Sequence, residues 1–163
     1  MLQVKQMNLR IGHGYDIHRL QTGGKLVVGG VVVAEGISAI AHSDGDVAIH
    51  ALIDAILGAA GLGDIGEMFP NTDAAWKDAS SVALLTTAYQ RVREKSFEFV
   101  NADITILAER PKLKEFKPQM VEILNTVLGG AINIKAGTNE GCDAVGRGEA
   151  IAAHAVVVVR MSK

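Results

Sequence analysis

The segment SDGDVAIHALIDAILGAA, residues 43–60, constrains the fold more than any other part of this chain. Ile49, Leu52, Ile53 and Ile56 recur at helical spacing, so a helix here carries an apolar face that must be buried against another element. The Ser-x-x-Asp start resembles a capping box and places the helix entrance at Ser43. Upstream, NLRIGHGYDIH (8–18) alternates Leu9, Ile11, Tyr15 and Ile17 against Arg10, Asp16 and His18, the period of a half-buried strand. Gly12 and Gly14 in that strand mark a closely approached backbone. KLVVGGVVVAEG then sets two β-branched runs around Gly29 and Gly30, a hairpin signal.

Downstream, a Gly- and Asp-rich loop leads to a second predicted helix over 80–95 and a strand over 97–109. Pro118 and Gly129 bracket a third helix. INIKAGT and AIAAHAVVVVRM supply two further strands, the last without clean alternation, as expected of a strand buried on both faces. This order predicts an α/β (α+β) fold: a mixed four-stranded sheet with helices on one face plus an N-terminal hairpin. The 163 residues, 48% of them apolar, suffice for one core, and no repeat or linker divides residues 1–163.

A net charge of −2 from 16 basic and 18 acidic residues leaves no footprint for nucleic acid or an acidic membrane. The run AVVVV (155–159) falls far short of the ~20 residues of a membrane span. With no apolar leader in MLQVKQMNLR, the expected compartment is the cytoplasm, or a plastid had a transit segment been removed. One cysteine, Cys142, rules out an internal disulfide and a multi-thiolate metal site, so any metal must use His, Asp and Glu.

Asp16 and His18, two apart on a strand, project to the same face as half of a metal site. His50 is one completion among several, because Asp46, His50 and Asp54 form a stripe every four residues, which also suits a solvated face. His42 and Ser43 precede the helix, where free N–H groups and the macrodipole attract anions.

GHGYDIH, AHSDGDVAIHALIDAILGAAGLGDIG, FPNTD and GRGE, in this order and without gaps, closely resemble the 2-C-methyl-D-erythritol 2,4-cyclodiphosphate synthase family, over residues 8–161. The resemblance implies that the 2-phosphate of 4-diphosphocytidyl-2-C-methyl-D-erythritol 2-phosphate attacks the β-phosphorus of its own diphosphate. An eight-membered cyclodiphosphate closes and CMP leaves, a step of the non-mevalonate route to isoprenoids. It further implies a zinc-type ion on Asp16, His18 and His50, and a second ion, Mg²⁺ or Mn²⁺, bridging the substrate diphosphate at Glu140. His42 and Thr138 become transition-state stabilisers, and Ser43 joins His42 at the methylerythritol phosphate.

By the same resemblance Ile17, Asp64, Ile65, Gly66, Phe69, Pro70, Asn71, Thr72 and Asp73 contact substrate. The loop of Ala108, Glu109, Arg110, Pro111, Lys112, Leu113 and Lys114 grips the cytidine, and Gly137, Asn139, Ala144 and Arg147 complete the phosphate side. Family members are homotrimers with each active site between subunits. Departures are Asn71, where Asp is frequent, and Ala144, where an aromatic is frequent. A metal-dependent phosphohydrolase and a non-catalytic metal- or nucleotide-binding trimer are the rival readings.

Overall fold

The structure, a computed structural model, describes residues 8–70, 72–73, 76 and 79–162. It runs β1 (Leu9–Val28), β2 (Val31–Ala39), α1 (Val47–Ala60), α2 (Ile65–Met68), α3 (Ser81–Glu94), β3 (Phe97–Leu107), a short 3₁₀ turn (Lys114–Phe116), α4 (Lys117–Leu128), β4 (Ala131–Gly137), α5 (Asp143–Gly146) and β5 (Ala150–Met161). The strands form one five-stranded sheet in the order β2-β1-β5-β3-β4, antiparallel except for the parallel pair β3 and β4.

Five strands correct the expected four with a separate hairpin. The segment around 8–18 and the first arm of the expected hairpin are one 20-residue strand. Its register with β2 shifts between Thr22 and Lys25, around the positive-φ pair Gly23 and Gly24, so the strand bends without ending. β1 therefore pairs with β5 through its first half and with β2 through its second. Gly29 and Gly30 make the turn into β2, both at positive φ, as a primed two-residue turn requires.

Ile151, Ala153, Ala155, Val157 and Val159 of β5 and Ala102, Ile104 and Ile106 of β3 point into the core. There they meet α1, with Leu84, Leu85, Ala88 and Val92 of α3 and Met120, Leu124 and Leu128 of α4 completing the apolar cluster. Along β1, Gly12 and Gly14 let α1 approach the sheet so closely that an added Cβ would overlap the carbonyl oxygens of Ala55 and Ala51. Packed in this way, α1 is buried over most of its circumference, and its polar stripe begins at the fully buried Asp46 and passes through the buried His50 to the half-buried Asp54.

The other sheet face is open. Ile11 is 72% exposed, and Tyr15, Ile17 and Val156 are exposed beside it. Burial of β5 on both faces thus holds for its first four residues, while Val156 beyond them is uncovered within one chain. His13 lies on this open face, its Nε2 3.1 Å from Nδ1 of His154, away from Asp16 and His18. No described helix is long and apolar enough to cross a membrane.

Candidate active site

The alternation of β1 and the close approach of α1 bring three donor atoms together. Asp16 Oδ2 lies 3.0 Å from His18 Nε2 and 3.0 Å from His50 Nδ1, and the two imidazole nitrogens are 3.2 Å apart. Two ligands on a tetrahedral ion with bonds of about 2.0–2.1 Å stand about 3.3 Å apart, so this near-equilateral triangle fits three donors on one zinc-type ion. The donor set of one carboxylate and two imidazoles suits the same metal. Among the described residues this is the one group of three or more His, Cys, Asp or Glu side chains close enough to share an ion.

The electrostatics suit a cation. Burial opposes ionisation of Asp16, yet hydrogen bonds from His18 and His50 outweigh it and hold the carboxyl well below the usual carboxylate range. Burial disfavours the charged form of His50, and the hydrogen bond and charge of Asp16, with Asp46 and Asp44 behind it, overcome this and raise its pKa. An ion held by Nδ1 would displace the proton that this nitrogen shares with Asp16.

The helix entrance differs from the capping-box expectation. Asp46, not Ser43, is the N-cap of α1, accepting from the N–H groups of Ala48 and Ile49 at 3.1 Å each. The same carboxylate accepts from Gly29 N at 2.9 Å and Gly30 N at 2.7 Å. Burial pushes the Asp46 carboxyl up while these N–H groups pull it down. The helix amides expected to be free for an anion are thus engaged by Asp46. Ser43, released from capping, places Oγ 3.2 Å from His50 Nε2.

A cleft of about 830 Å³ opens over the triangle. Of the residues singled out in the sequence, Asp16, His18, His42, Ser43, His50, Ile65, Gly66, Phe69, Thr72 and Asp73 line it. Asp64 stands at its edge as N-cap of α2, accepting from Glu67 N at 2.8 Å, and Pro70 follows Phe69 in the lining loop. Asn71 lies outside the described residues. Ile17 turns to the open face, with only its N–H meeting Asp16 Oδ1 at 2.9 Å.

The residues expected at the cytidine and the phosphates gather elsewhere, at the ends of β3 and β4. Ala108 N donates to Gly137 O at 3.0 Å, and Asn139 N to Glu109 Oε1 at 3.0 Å. Thr138 Oγ1 donates to Glu140 Oε1 at 2.7 Å, while Arg147 makes a bidentate pair with Glu149. Ala144 lies on α5 between them, and Leu113 is buried beneath the loop that also holds Arg110, Pro111, Lys112 and Lys114. Among the described residues, none of this second group lines the first cleft.

Sequence reasoning missed Trp76, which packs edge-on against Phe69 at 4.9 Å in the cleft wall, and Ser81, fully buried behind His50. Asp54 was visible only as part of a stripe. It lines the cleft and accepts from Ile65 N at 2.8 Å. Burial, helped by the charges of Asp64 and Asp16, raises its pKa against that N–H bond.

A donor triangle of this kind, beneath an open cleft on an α+β sheet, is what an enzyme acting on a small molecule with a divalent ion would need. The model of the YgbB family matches residues 9–160, and the chain belongs to that family. It is 51% identical over 154 residues to the 2-C-methyl-D-erythritol 2,4-cyclodiphosphate synthase of Desulfosudis oleivorans, covering 93% of this chain and 92% of that one. It is 46% identical over 156 residues to the synthase of the same name from Cellvibrio japonicus, covering 94% and 98%. Among solved structures, the bifunctional IspDF from Campylobacter jejuni superposes with a TM-score of 0.92 at 43% identity over 96% of this chain, which spans 43% of that protein. The CDP complex of Plasmodium falciparum IspF superposes at 0.83 with 30% identity, over 98% and 100% of the two chains.

Proposed function

We propose that Asp16, His18 and His50 hold a zinc-type ion, and that beside it the chain performs its family's reaction by metal-assisted intramolecular phosphoryl transfer. That reaction converts 4-diphosphocytidyl-2-C-methyl-D-erythritol 2-phosphate to 2-C-methyl-D-erythritol 2,4-cyclodiphosphate and CMP in the non-mevalonate isoprenoid pathway, the work of a phosphorus–oxygen lyase. An oxygen of the 2-phosphate bonds to the β-phosphorus as the bond from that phosphorus to the bridging oxygen breaks, and CMP departs with that oxygen. The observation that carries the reading is the 3.0–3.2 Å triangle at the cleft beside His42 and Ser43.

Divalent ions bound here would neutralise the diphosphate and polarise its β-phosphoryl group, zinc at the triad and Mg²⁺ or Mn²⁺ at the exposed Glu140 with substrate phosphates as further ligands. His42 and Ser43 bind the methylerythritol phosphate end, and residues 64–66, 69–70 and 72–73 enclose its carbon skeleton. His42 and Thr138 donate to phosphoryl oxygens as charge shifts toward the leaving group. Residues 108–114 hold the cytidine, and Arg147 a phosphate.

Strands lie about 4.8 Å apart, so β1 and β3, with β5 between them, are about 10 Å apart across the sheet. A homotrimer with its sheets around a threefold axis resolves this separation by setting one subunit's triad against the next subunit's 108–114 loop. It also covers the apolar row of Ile11, Tyr15, Ile17 and Val156. Purified protein given the diphosphocytidyl substrate and Mg²⁺ is expected to release CMP and the cyclic diphosphate in equal amounts. A linear diphosphate product, as a phosphohydrolase would give, or no CMP overturns the assignment. Light scattering should return three times the chain mass.

A further inference from the structure

We infer that Ser81 and Asp44 are positioning residues for the metal site, a buried hydrogen-bonded relay that fixes His50 as the tautomer with its proton on Nε2 and its Nδ1 lone pair toward Asp16 and His18. The inference rests on the metal reading of the triad given above.

Ser81 opens α3 and is fully buried. Its backbone N–H donates to Asp44 Oδ2 at 2.8 Å, and its hydroxyl donates to Asp44 Oδ1. The same oxygen, Ser81 Oγ, lies 2.9 Å from His50 Nε2, on the ring edge opposite the donor triangle. The direction of the chain follows from valence. An ionised carboxylate only accepts, so the Ser81 proton points to Asp44, and Ser81 Oγ has only lone pairs to offer His50. Nε2 must then be the N–H, leaving the Nδ1 lone pair for an ion. Ser43 Oγ, 3.2 Å from Nε2 and accepting from Gly45 N at 3.3 Å, is a longer contact on the same side that can accept from Nε2 once Ser81 has set its proton there. Reversing the chain would put the proton on Nδ1, where it competes with the ion. Asp44→Asn does this without changing size: the amide has one oxygen and cannot accept from both the Ser81 N–H and the Ser81 hydroxyl as the carboxylate does, and its NH₂ can donate to Ser81 Oγ, turning the hydroxyl proton toward His50.

Loss of an outer partner of a metal-bound imidazole weakens metal binding by about 10–100-fold. The test is the zinc dissociation constant of purified full-length protein, measured by competition with a chromogenic chelator at a temperature where circular dichroism shows every metal-free variant folded. Ser81→Ala and Asp44→Asn are expected to weaken zinc by about 10–100-fold. Ser80→Ala is the control, since Ser80 caps the same helix through Ala83 N without touching His50. It should leave zinc affinity within about twofold, because the cap contributes only to the helix. Wild-type affinity in both relay variants overturns the relay, and so does an equal loss in Ser80→Ala, which would make the effect one of helix stability. If Ser81→Ala does not fold, Asp44→Asn against Ser80→Ala decides alone. A wild-type protein that binds no zinc overturns the metal reading itself.

Discussion

Replacing Gly14 by alanine tests whether the close approach of β1 to α1 is what assembles the donor triangle. A Cβ on Gly14 would stand 1.9 Å from Ala51 O, 2.8 Å from Ala55 N and 2.9 Å from Ala51 C, all backbone atoms that no rotamer change can move. Carbon and oxygen in tight backbone contacts keep about 3.3–3.6 Å, so strand and helix must part locally by about 1.5 Å. That displacement falls on the proposed metal ligands, because Asp16 is two residues along the same strand face and His50 adjoins Ala51. Metal–ligand distances tolerate only about 0.2 Å. Overpacking of this kind costs about 1–3 kcal/mol, and a 1 Å misplacement in an active site costs about 10²-fold in rate. Gly14→Ala should therefore retain well under one zinc per chain after dialysis, measured by elemental analysis, and release CMP at least about 10²-fold more slowly. Gly12→Ala controls for stability. Its Cβ would stand 1.8 Å from Ala55 O, a turn further from His50, so it should lower the melting temperature similarly while keeping more of its zinc. Gly14→Ala protein with full zinc and wild-type turnover would refute the argument.

His50→Ala should lose its zinc and about 10²-fold or more in turnover while light scattering still reports the assembly of the wild type, since the ring lies on the core side of the sheet. Asp54→Ala removes the acceptor of Ile65 N and frees the start of α2, so KM should rise about tenfold, the worth of one such bond, with zinc content unchanged. The pH dependence of melting should separate the metal-free and zinc-loaded states. The depressed pKa of Asp16 contributes stability above its unfolded value of about 3.8, lost as pH falls through the folded value. The raised pKa of His50 contributes stability below about 6.5, lost as pH rises through the folded value. With chelator present the pair thus stabilises most between about pH 4 and 6.5, whereas the gain from added zinc should grow with pH as His50 gives up its proton. A zinc-induced shift independent of pH from 5 to 9 would contradict this.

The part of the site legible in the sequence is the part fixed by local periodicity. Asp16 and His18 share a strand face because the side-chain period is two. The helix around His50 shows in its apolar spacing, and its C-terminal boundary at Ala60 agrees with the structure. Features set by tertiary contact were not legible. Nothing local says that β1 runs on through Gly23 and Gly24 and so pairs with two partners. Ser81 reads as one of two serines at a helix start, and only burial against His50 distinguishes it from Ser80. Lys135 is paired with Asp103 on the neighbouring strand at 2.6 Å, a partner that nothing local in the sequence points to. The cytidine-side residues were located by resemblance alone, and their separation from the triad within one chain has no trace in the sequence spacing.

The acidic residues before and along α1 each accept from a backbone N–H of another element or of the helix itself. Asp46 accepts from the turn residues Gly29 and Gly30 and from the first amides of α1. Asp44 accepts from the first residue of α3, and Asp54 from the first residue of α2. Each carboxylate thus ties the start of a different element to α1 or to the loop before it through at least one backbone N–H. The cost is visible in the raised pKa values of the two on the helix, where burial outweighs the donors. What the arrangement secures is the position of one ring. His50 follows its cap by a single turn, its N–H bonded to Asp46 O at 3.0 Å, with the turn of Gly29 and Gly30 anchored on one side and α3 on the other. A ligand held from so many directions has little freedom to lose when an ion binds, which is how a triangle of donors can be set before the metal arrives.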